Sequence, residues 1–305
     1  MLNLLNLIRW KNLLMIALAQ LLLKYALLEP FGIATSLDGF GIFLLIFATI
    51  CIAAAGNIIN DIYDVETDFV NKPHKLIVGN SISEKTAYNL FIIFNIIGVG
   101  VGFYISHLVG KSPFFSLFVI ISALLYVYAT YLKRTLLIGN IVISILVGLS
   151  VLIVGIFELL PVLTLENRAI QLTFFKIILD YAMFAFLLNL LREIAKDLED
   201  IDGDYKAGMN TLPIAIGRDR TTKVLFVLSI IPIFLIIYYV VNSLYTDIFA
   251  AGYYIFFIIG PIIFTSIKLF SAKTKKDYHF ISDLLKLVMF FGVLSLLIYY
   301  FNLKA

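Results

Sequence analysis

Nine long apolar segments run through this 305-residue chain and limit it to one kind of fold. Hydrophobic residues make up 62% of the sequence and charged residues 14%, whereas a soluble domain is roughly 45–50% apolar and 25% charged. A bilayer core needs about 20 mostly apolar residues per helix. The segments lack the strict alternation of barrel strands, so only helices can satisfy their backbones in lipid. The sequence predicts an all-α, polytopic membrane protein, a single domain over residues 1–305, with spans near 12–30, 39–60, 86–108, 113–132, 136–160, 171–191, 222–242, 247–270 and 279–301.

The distribution of basic residues predicts the orientation of these spans. With the N-terminus in the cytoplasm, 17 of the 23 Lys and Arg residues fall on the cytoplasmic side, and five fall on or near the other side. We therefore expect a multi-pass protein of the cell (inner) membrane, with long cytoplasmic connections near 61–85 and 192–221 that cap the bundle. The net charge of +3 is too small to indicate nucleic-acid binding, and the single cysteine, Cys51, excludes an intrachain disulfide.

Two acidic segments with the same spacing follow the second and sixth spans. Residues 60–68 read NDIYDVETD and residues 196–204 read KDLEDIDGD, and both contain the pattern D-x-x-D-x-x-x-D. On a helix, positions i, i+3 and i+7 share one face, so each segment can aim three carboxylates in one direction, with Glu66 and Glu199 pointing away. Crowded carboxylates repel one another, which indicates a neutralising cation, and hard oxygen ligands suit Mg²⁺. The candidate metal ligands are Asn60, Asp61, Asp64, Asp68, Asp197, Asp200 and Asp204.

Basic residues beside the acidic segments predict a diphosphate site, because diphosphate needs both metal ions and hydrogen-bond donors. The alternative for each cation is that it only marks a cytoplasmic helix end, and we prefer that reading for Lys273, Lys275 and Lys276. The candidate substrate-binding residues are Asn57, Lys72, Lys75, Lys133, Arg134, Arg192 and Lys196, and the candidate catalytic residues are Asp64, Asp68, Asp200 and Asp204.

The two motifs resemble those of the UbiA-type intramembrane prenyltransferases, and the resemblance covers nearly the whole chain. The family's first motif, N-x-x-x-D-x-x-x-D, is matched by Asn60, Asp64 and Asp68, and its second by Asp197, Asp200 and Asp204. Residues 132–135 are similar to the family's basic segment after the fourth span. The resemblance implies two Mg²⁺ ions that hold the diphosphate of an isoprenoid donor, whose apolar tail lies between the helices.

Within the family, the sequence is most similar to digeranylgeranylglyceryl phosphate synthases. Residues 71–73 (NKP), 192–200 (REIAKDLED) and 211–217 (TLPIAIG) carry that likeness, although Lys75 stands where relatives usually have arginine. The resemblance implies transfer of a polyprenyl group, expected to be geranylgeranyl, from its diphosphate to a lipid-soluble acceptor, expected to be geranylgeranylglyceryl phosphate. Such an acceptor needs cations for its own phosphate, and Lys72 and Lys75, with His74, are the candidates in the sequence.

Two other functions stay open on the sequence. An aromatic acceptor, as in quinone, tocopherol or chlorophyll pathways, would use the same donor site and give a different lipid-soluble product. A divalent-cation transporter would place ionisable groups at the bilayer midplane. Asp180 and Lys286 are the plausible mid-span charges, whereas both acidic segments lie at one face of the membrane, which favours the enzyme.

Overall fold

The computed structural model describes residues 2–244 and 247–302, except for the side chains of Lys75, Ser243 and Asn302. Within these residues, nine helices are long and apolar enough to cross a membrane. Shorter helices, Leu2–Leu7, Val65–Asn71 and Leu212–Ile216, lie outside them. The nine, labelled α1 to α9 in chain order, are Trp10–Phe31, Gly39–Tyr63, Glu84–Leu108, Ser112–Thr130, Ile138–Leu159, Arg168–Lys206, Arg218–Asn242, Ile248–Leu269 and Lys275–Phe301.

The predicted spans are confirmed, and α6 is the one that differs most from its prediction. It was expected to end near residue 191, but the helix continues to Lys206. Ile194, Ala195, Leu198 and Gly203 are all buried in this extension, so the packing face of the helix continues past the predicted end. The expected long connection over 192–221 is therefore wrong. The second acidic segment belongs to α6, and residues 207–217 connect it to α7.

The first acidic segment crosses a small break in the chain. α2 ends at Tyr63, Asp64 has φ −93° and ψ −2°, and the short helix Val65–Asn71 follows. The amide of Asp64 donates to the carbonyl of Asn60 at 3.0 Å, and the amide of Asp68 donates to the carbonyl of Asp64 at 2.8 Å. The hydrogen-bond ladder thus runs through the break and keeps these three motif residues on one face.

Large apolar side chains cover the outside of the bundle. Ile96, Phe234, Phe256 and Phe264 are exposed on α3, α7 and α8. Soluble monomers rarely expose broad apolar patches of this kind, because water disfavours them, whereas lipid accommodates them. The apolar exterior and the nine long helices make the chain an integral, multi-pass membrane protein.

A buried ion pair closes the end of the bundle opposite the acidic segments. Lys24 of α1 and Glu158 of α5 are 1% and 0% exposed, and Lys24 Nζ lies 3.1 Å from Glu158 Oε1. Both groups also bind the α1–α2 connection: Glu158 Oε2 accepts from the amide of Leu37 at 3.1 Å, and Lys24 donates to the Leu37 carbonyl. A buried charge without its partner is strongly destabilising. The pair therefore holds α1, α2 and α5 together at the end of the bundle opposite the acidic segments.

Candidate active site

A cavity of about 1000 Å³ lies among α1, α2, α4, α5, α6 and α9, and both acidic segments line it. Its polar part is formed where these helices begin or end next to the acidic segments. The part that continues into the bundle is mainly apolar: Ile52, Phe118, Leu146 and Ile153 line it, together with the hydroxyl side chains of Thr49 and Ser150. Ile52 precedes Asn60 by two turns of α2, or about 12 Å along the helix axis. The cavity can therefore hold a molecule with a polar head and a long apolar tail.

Asp64 is the buried centre of the first acidic segment. It is 5% exposed, its Oδ2 accepts from Asn60 Nδ2 at 2.6 Å, and the same oxygen forms an ion pair with Lys133. Burial lowers the pKa of Lys133, but the Asp64 carboxylate outweighs burial and holds that pKa above its ordinary value. Asp61 is paired separately, with Arg9 Nη2 at 2.7 Å. The first segment thus brings carboxylates and cations together at the cavity wall.

A tight turn presents Lys133 to Asp64. Leu132–Arg134 form a single 3-10 turn after α4, which the amide of Thr135 closes by donating to the carbonyl of Leu132 at 3.0 Å. Gly139, at the start of α5, packs directly on this turn, since a Cβ there would lie 2.6 Å from the Leu132 carbonyl oxygen. A residue without a side chain is therefore needed at 139 for the turn to sit this close to α5.

Asp200 is the residue of the second acidic segment that corresponds to Asp64 of the first. Its Oδ2 lies 2.6 Å from Lys72 Nζ. Burial lowers the pKa of Lys72, but the Asp200 carboxylate raises it above its ordinary value. Among the described residues, Asp200 Oδ1 is buried with no hydrogen-bond partner, and Lys275 Nζ is 3.8 Å away. Asp197, one turn earlier, accepts from Asn140 Nδ2 of α5 at 2.7 Å.

Asn71 joins the two acidic segments. Its Nδ2 donates to the carbonyl of Asp200 at 2.9 Å, and its Oδ1 accepts from the amide of Gly203 at 3.0 Å. A Cβ at Gly203 would lie 2.3 Å from Asn71 Nδ2, so a side chain there would push the two segments apart. This contact explains a glycine within α6, where glycine otherwise weakens a helix. The spacing between the two segments is therefore set by hydrogen bonds to the backbone.

Most of the residues selected from the sequence meet at this cavity. Those that line it are Asn57, Asn60, Asp61, Asp64, Asp68, Lys72, Lys133, Arg192, Lys196, Asp197, Asp200 and Asp204. Arg134 differs from the expectation: it is exposed and outside the cavity lining, because the 3-10 turn directs it away from Lys133. The side chain of Lys75 lies outside the described part of the structure.

Three residues that the sequence does not mark as functional support the motif side chains. Arg9 binds Asp61, and Asn140 binds Asp197. Each is a polar residue at the edge of an apolar span, and that position is the feature by which the sequence could have identified them. Lys275, which the sequence assigned to topology, donates to the carbonyl of Asn71 at 2.7 Å. Nothing local in the sequence distinguishes Lys275 from its lysine neighbours, because its role depends on how α9 packs against α6.

Glu66 and Glu199, the two glutamates expected to point away from the motif aspartates, lie in different surroundings. Glu66 is exposed, as expected, but Glu199 is 6% exposed and lines the cavity. Its Oε1 lies 3.0 Å from His279 Nδ1 of α9. The helical wheel of α6 places Glu199 away from the motif aspartates, but α9 covers that side of the helix and encloses the carboxylate.

The side chains of the two motifs fit a hard divalent cation in their chemistry. Their carboxylate and amide oxygens are the ligands Mg²⁺ prefers, and the buried, unpartnered Asp200 Oδ1 is a free oxygen ligand. In the part of the chain that the structure describes, no three His, Cys, Asp or Glu side chains stand close enough to hold one ion. Lysines neutralise Asp64 and Asp200 instead, while burial and the Asp64 charge raise the pKa of Asp68.

The membrane-embedded bundle, the paired acidic segments and the half-apolar cavity define an intramembrane enzyme for amphipathic substrates. The model of the UbiA prenyltransferase family matches residues 13–294. The chain belongs to this family, and it is a prenyltransferase.

Individual relatives agree with this assignment. The digeranylgeranylglyceryl phosphate synthase of Korarchaeum cryptofilum (strain OPF8) is 32% identical over 247 residues, which is 80% of each chain. A structure from a study of digeranylgeranylglyceryl phosphate synthase in membranes has a TM-score of 0.65 at 24% identity and covers 98% of both chains. A UbiA homologue from Archaeoglobus fulgidus, bound to GPP and Mg²⁺, has a TM-score of 0.57 at 18% identity, over 96% of this chain and 99% of that one. These structures confirm the expected fold.

Lys133→Ala is expected to weaken binding of the prenyl diphosphate. Lys133 is the cation that meets Asp64 at the cavity wall. A hydrogen bond to a charged group contributes about 1.5–3 kcal/mol, so KM for the donor should rise about tenfold or more. Steady-state kinetics at saturating acceptor would measure this rise.

Arg134→Ala is the matched control, since it removes the same charge from the next residue, outside the cavity. We expect it to change the donor KM far less. An equal effect of the two substitutions would show that Lys133 acts only through general electrostatics. A change confined to the acceptor KM would assign Lys133 to the acceptor instead.

Proposed function

We propose that this protein transfers a geranylgeranyl group from geranylgeranyl diphosphate to geranylgeranylglyceryl phosphate in an Mg²⁺-dependent reaction. One observation carries the proposal: both acidic segments, each with its own lysine, line the polar part of one cavity, and the inner part of that cavity is mainly apolar. A diphosphate fits the polar part, and an isoprenoid chain fits the apolar part. The acceptor follows from the relatives named digeranylgeranylglyceryl phosphate synthase.

In the proposed mechanism, the polar part of the cavity binds the diphosphate and the apolar part binds the prenyl chain. Bound at Asn60, Asp64, Asp68, Asp197, Asp200 and Asp204, Mg²⁺ would supply positive charge to the diphosphate as it departs. Lys133 and Lys72 lie at the same carboxylates and are placed to donate hydrogen bonds to the diphosphate oxygens. Ile52, Phe118, Leu146 and Ile153 hold the prenyl chain and keep water from the allylic carbon. The free hydroxyl of the acceptor attacks that carbon as its bond to the diphosphate oxygen breaks, and the hydroxyl proton passes to a carboxylate of the acidic segments.

The proposed orientation places the acidic segments at the cytoplasmic face of the cell (inner) membrane, with the N-terminus on the same side. The excess of basic residues at this end of the bundle supports it. Segments 64–83 and 207–217 would then form the cytoplasmic cap over the cavity. Phosphorylated substrates and Mg²⁺ would reach the site from the cytoplasm, and the apolar chains would reach it from the bilayer.

Product analysis tests the proposal directly. Purified full-length protein would receive geranylgeranyl diphosphate and Mg²⁺ together with geranylgeranylglyceryl phosphate, 4-hydroxybenzoate or homogentisate. Mass spectrometry is expected to find the prenylated glyceryl phosphate as the preferred product, and the Asp200→Asn variant provides the inactive control.

Efficient transfer to an aromatic ring, with none to the glycerol lipid, would overturn the proposed acceptor and leave the family assignment standing. Divalent-cation flux into proteoliposomes without prenyl transfer would instead favour the transporter that the sequence left open.

A further inference from the structure

The basic side chains of the cavity divide into two sets with different carboxylate partners. Lys72 and Lys133 each have an aspartate of a motif as their own partner. Arg192 and Lys196 instead share one carboxylate, that of Glu193: Arg192 Nη1 lies 3.3 Å from its Oε1 and Lys196 Nζ lies 2.9 Å from its Oε2. Within this cluster of three side chains, two cations share one carboxylate, so one positive charge is left without an ion-pair partner of its own.

Arg9 lies on the same cavity wall as this second set, although its own partner is Asp61 of the first motif. Burial lowers the pKa of Arg9, but Asp61 and, at longer range, Asp64 and Glu193 raise it above its ordinary value, which places Glu193 within its electrostatic reach. Arg9 also has φ 54°, a left-handed backbone conformation that non-glycine residues rarely adopt. Such local strain persists only where surrounding contacts enforce it, and it is frequent at ligand sites. Arg9, Arg192 and Lys196 all line the cavity, and we call Arg192 and Lys196, which share Glu193, the second cation set.

The second cation set contains a hydrogen-bond donor that no described protein atom uses. Arg192 Nε is buried and, within the described residues, has no hydrogen-bond partner. A buried donor without an acceptor is unfavourable, so this atom indicates that an acceptor oxygen is needed beside it. The planar guanidinium fork matches phosphate oxygens in particular.

The position of the second cation set suits an acceptor rather than the donor. Arg192 and Lys196 are one turn apart on α6 and precede Asp200 by about 12 and 6 Å along the helix axis. They therefore lie further into the bundle than the carboxylates proposed to hold the diphosphate. In geranylgeranylglyceryl phosphate, the phosphate and the free hydroxyl are on adjacent glycerol carbons. An anion held here would place that hydroxyl next to the donor's allylic carbon.

We propose that Arg192 and Lys196, assisted by Arg9, form a separate subsite for the phosphate group of the acceptor. This inference rests on the proposed function and goes beyond it, because it assigns the acceptor phosphate to α6. The sequence had suggested Lys72 and Lys75 for that role, but Lys72 is bound to Asp200 of the second motif. The subsite would select a phosphorylated lipid alcohol over an uncharged one.

The test compares two acceptors that differ only in the phosphate: geranylgeranylglyceryl phosphate and geranylgeranylglycerol. For Arg192→Gln, we expect the ratio of kcat/KM values between the two acceptors to fall about tenfold or more, through the KM of the phosphorylated one. The donor KM should stay within about twofold of the wild type. Lys206→Gln is the matched control, since it removes one exposed charge from the same helix outside the cavity.

Arg192→Gln and Lys196→Gln each leave the buried Glu193 with one partner fewer, so the second variant, Glu193→Gln/Lys196→Gln, removes a carboxylate and a cation together. It is expected to lower the same ratio. An active wild type whose ratio is unchanged in Arg192→Gln and in the double variant would overturn the subsite and leave the proposed function standing. A wild type that transfers to neither acceptor would overturn both.

Discussion

Replacing Asp64 or Asp200 by asparagine is expected to stop prenyl transfer while the protein stays folded in the membrane. Asparagine is nearly isosteric with aspartate, so packing changes little, but each substitution removes a carboxylate charge proposed to face Mg²⁺. Metal stabilisation of a developing charge is worth several kcal/mol, so turnover should fall by on the order of a thousandfold. The measurement is product formation at saturating Mg²⁺ and donor.

Two substitutions within the same segments provide matched controls. Glu66→Gln and Asp202→Asn remove the same charge from exposed positions outside the cavity lining, and we expect both variants to keep near wild-type activity. Monodisperse elution in detergent would show that the inactive variants are folded, which matters because Lys133 and Lys72 lose their carboxylate partners. Substantial activity in both Asp64→Asn and Asp200→Asn would contradict the assignment of the motifs as catalytic.

Chelation of divalent cations is expected to abolish transfer, and Mg²⁺ added beyond the chelator should restore it. The donor diphosphate is an anion that must approach six motif aspartates, and only three of them, Asp61, Asp64 and Asp200, are neutralised, by Arg9, Lys133 and Lys72. Without a metal ion, the remaining like charges oppose binding and offer no stabilisation to the leaving group. Transfer would be measured by product formation, and donor binding by direct titration, with and without EDTA.

The titration separates a catalytic role of the metal from a structural one. Unchanged elution of the protein in EDTA, with donor binding and transfer both lost, would place the metal at the substrate. Transfer that proceeds at its full rate in excess EDTA would exclude the proposed metal-dependent mechanism.

The sequence predicted the membrane architecture because that architecture depends on local properties. Each span is a run of apolar residues whose backbone can be satisfied in lipid only as a helix. The shared face of Asn60, Asp64 and Asp68 likewise depends only on helical periodicity, and it survives the break after Tyr63. The end of α6 could not be predicted in this way, since burial of Leu198 and Gly203 against neighbouring elements keeps the helix intact through a polar stretch.

Partners of the motif carboxylates depended on packing between distant parts of the chain. Lys72 reaches Asp200 across 128 positions, and Lys133 reaches Asp64 across 69. The sequence placed Lys133 and Arg134 together as equivalent cations, and only the 3-10 turn separates them. Glu199 was expected to point away from the motif aspartates, and nothing in the sequence indicated that His279 of α9 would meet it there.

The sequence by itself therefore determined that the chain is a helical membrane protein with two acidic segments at one end of the bundle. Only the tertiary structure decided which cation meets which carboxylate, and that Arg192 and Lys196 share Glu193 while Lys72 and Lys133 do not. The physical reason is the distance along the chain over which each property acts. Apolar length and helical period act over one or two turns, whereas side-chain pairing depends on how whole helices pack against one another.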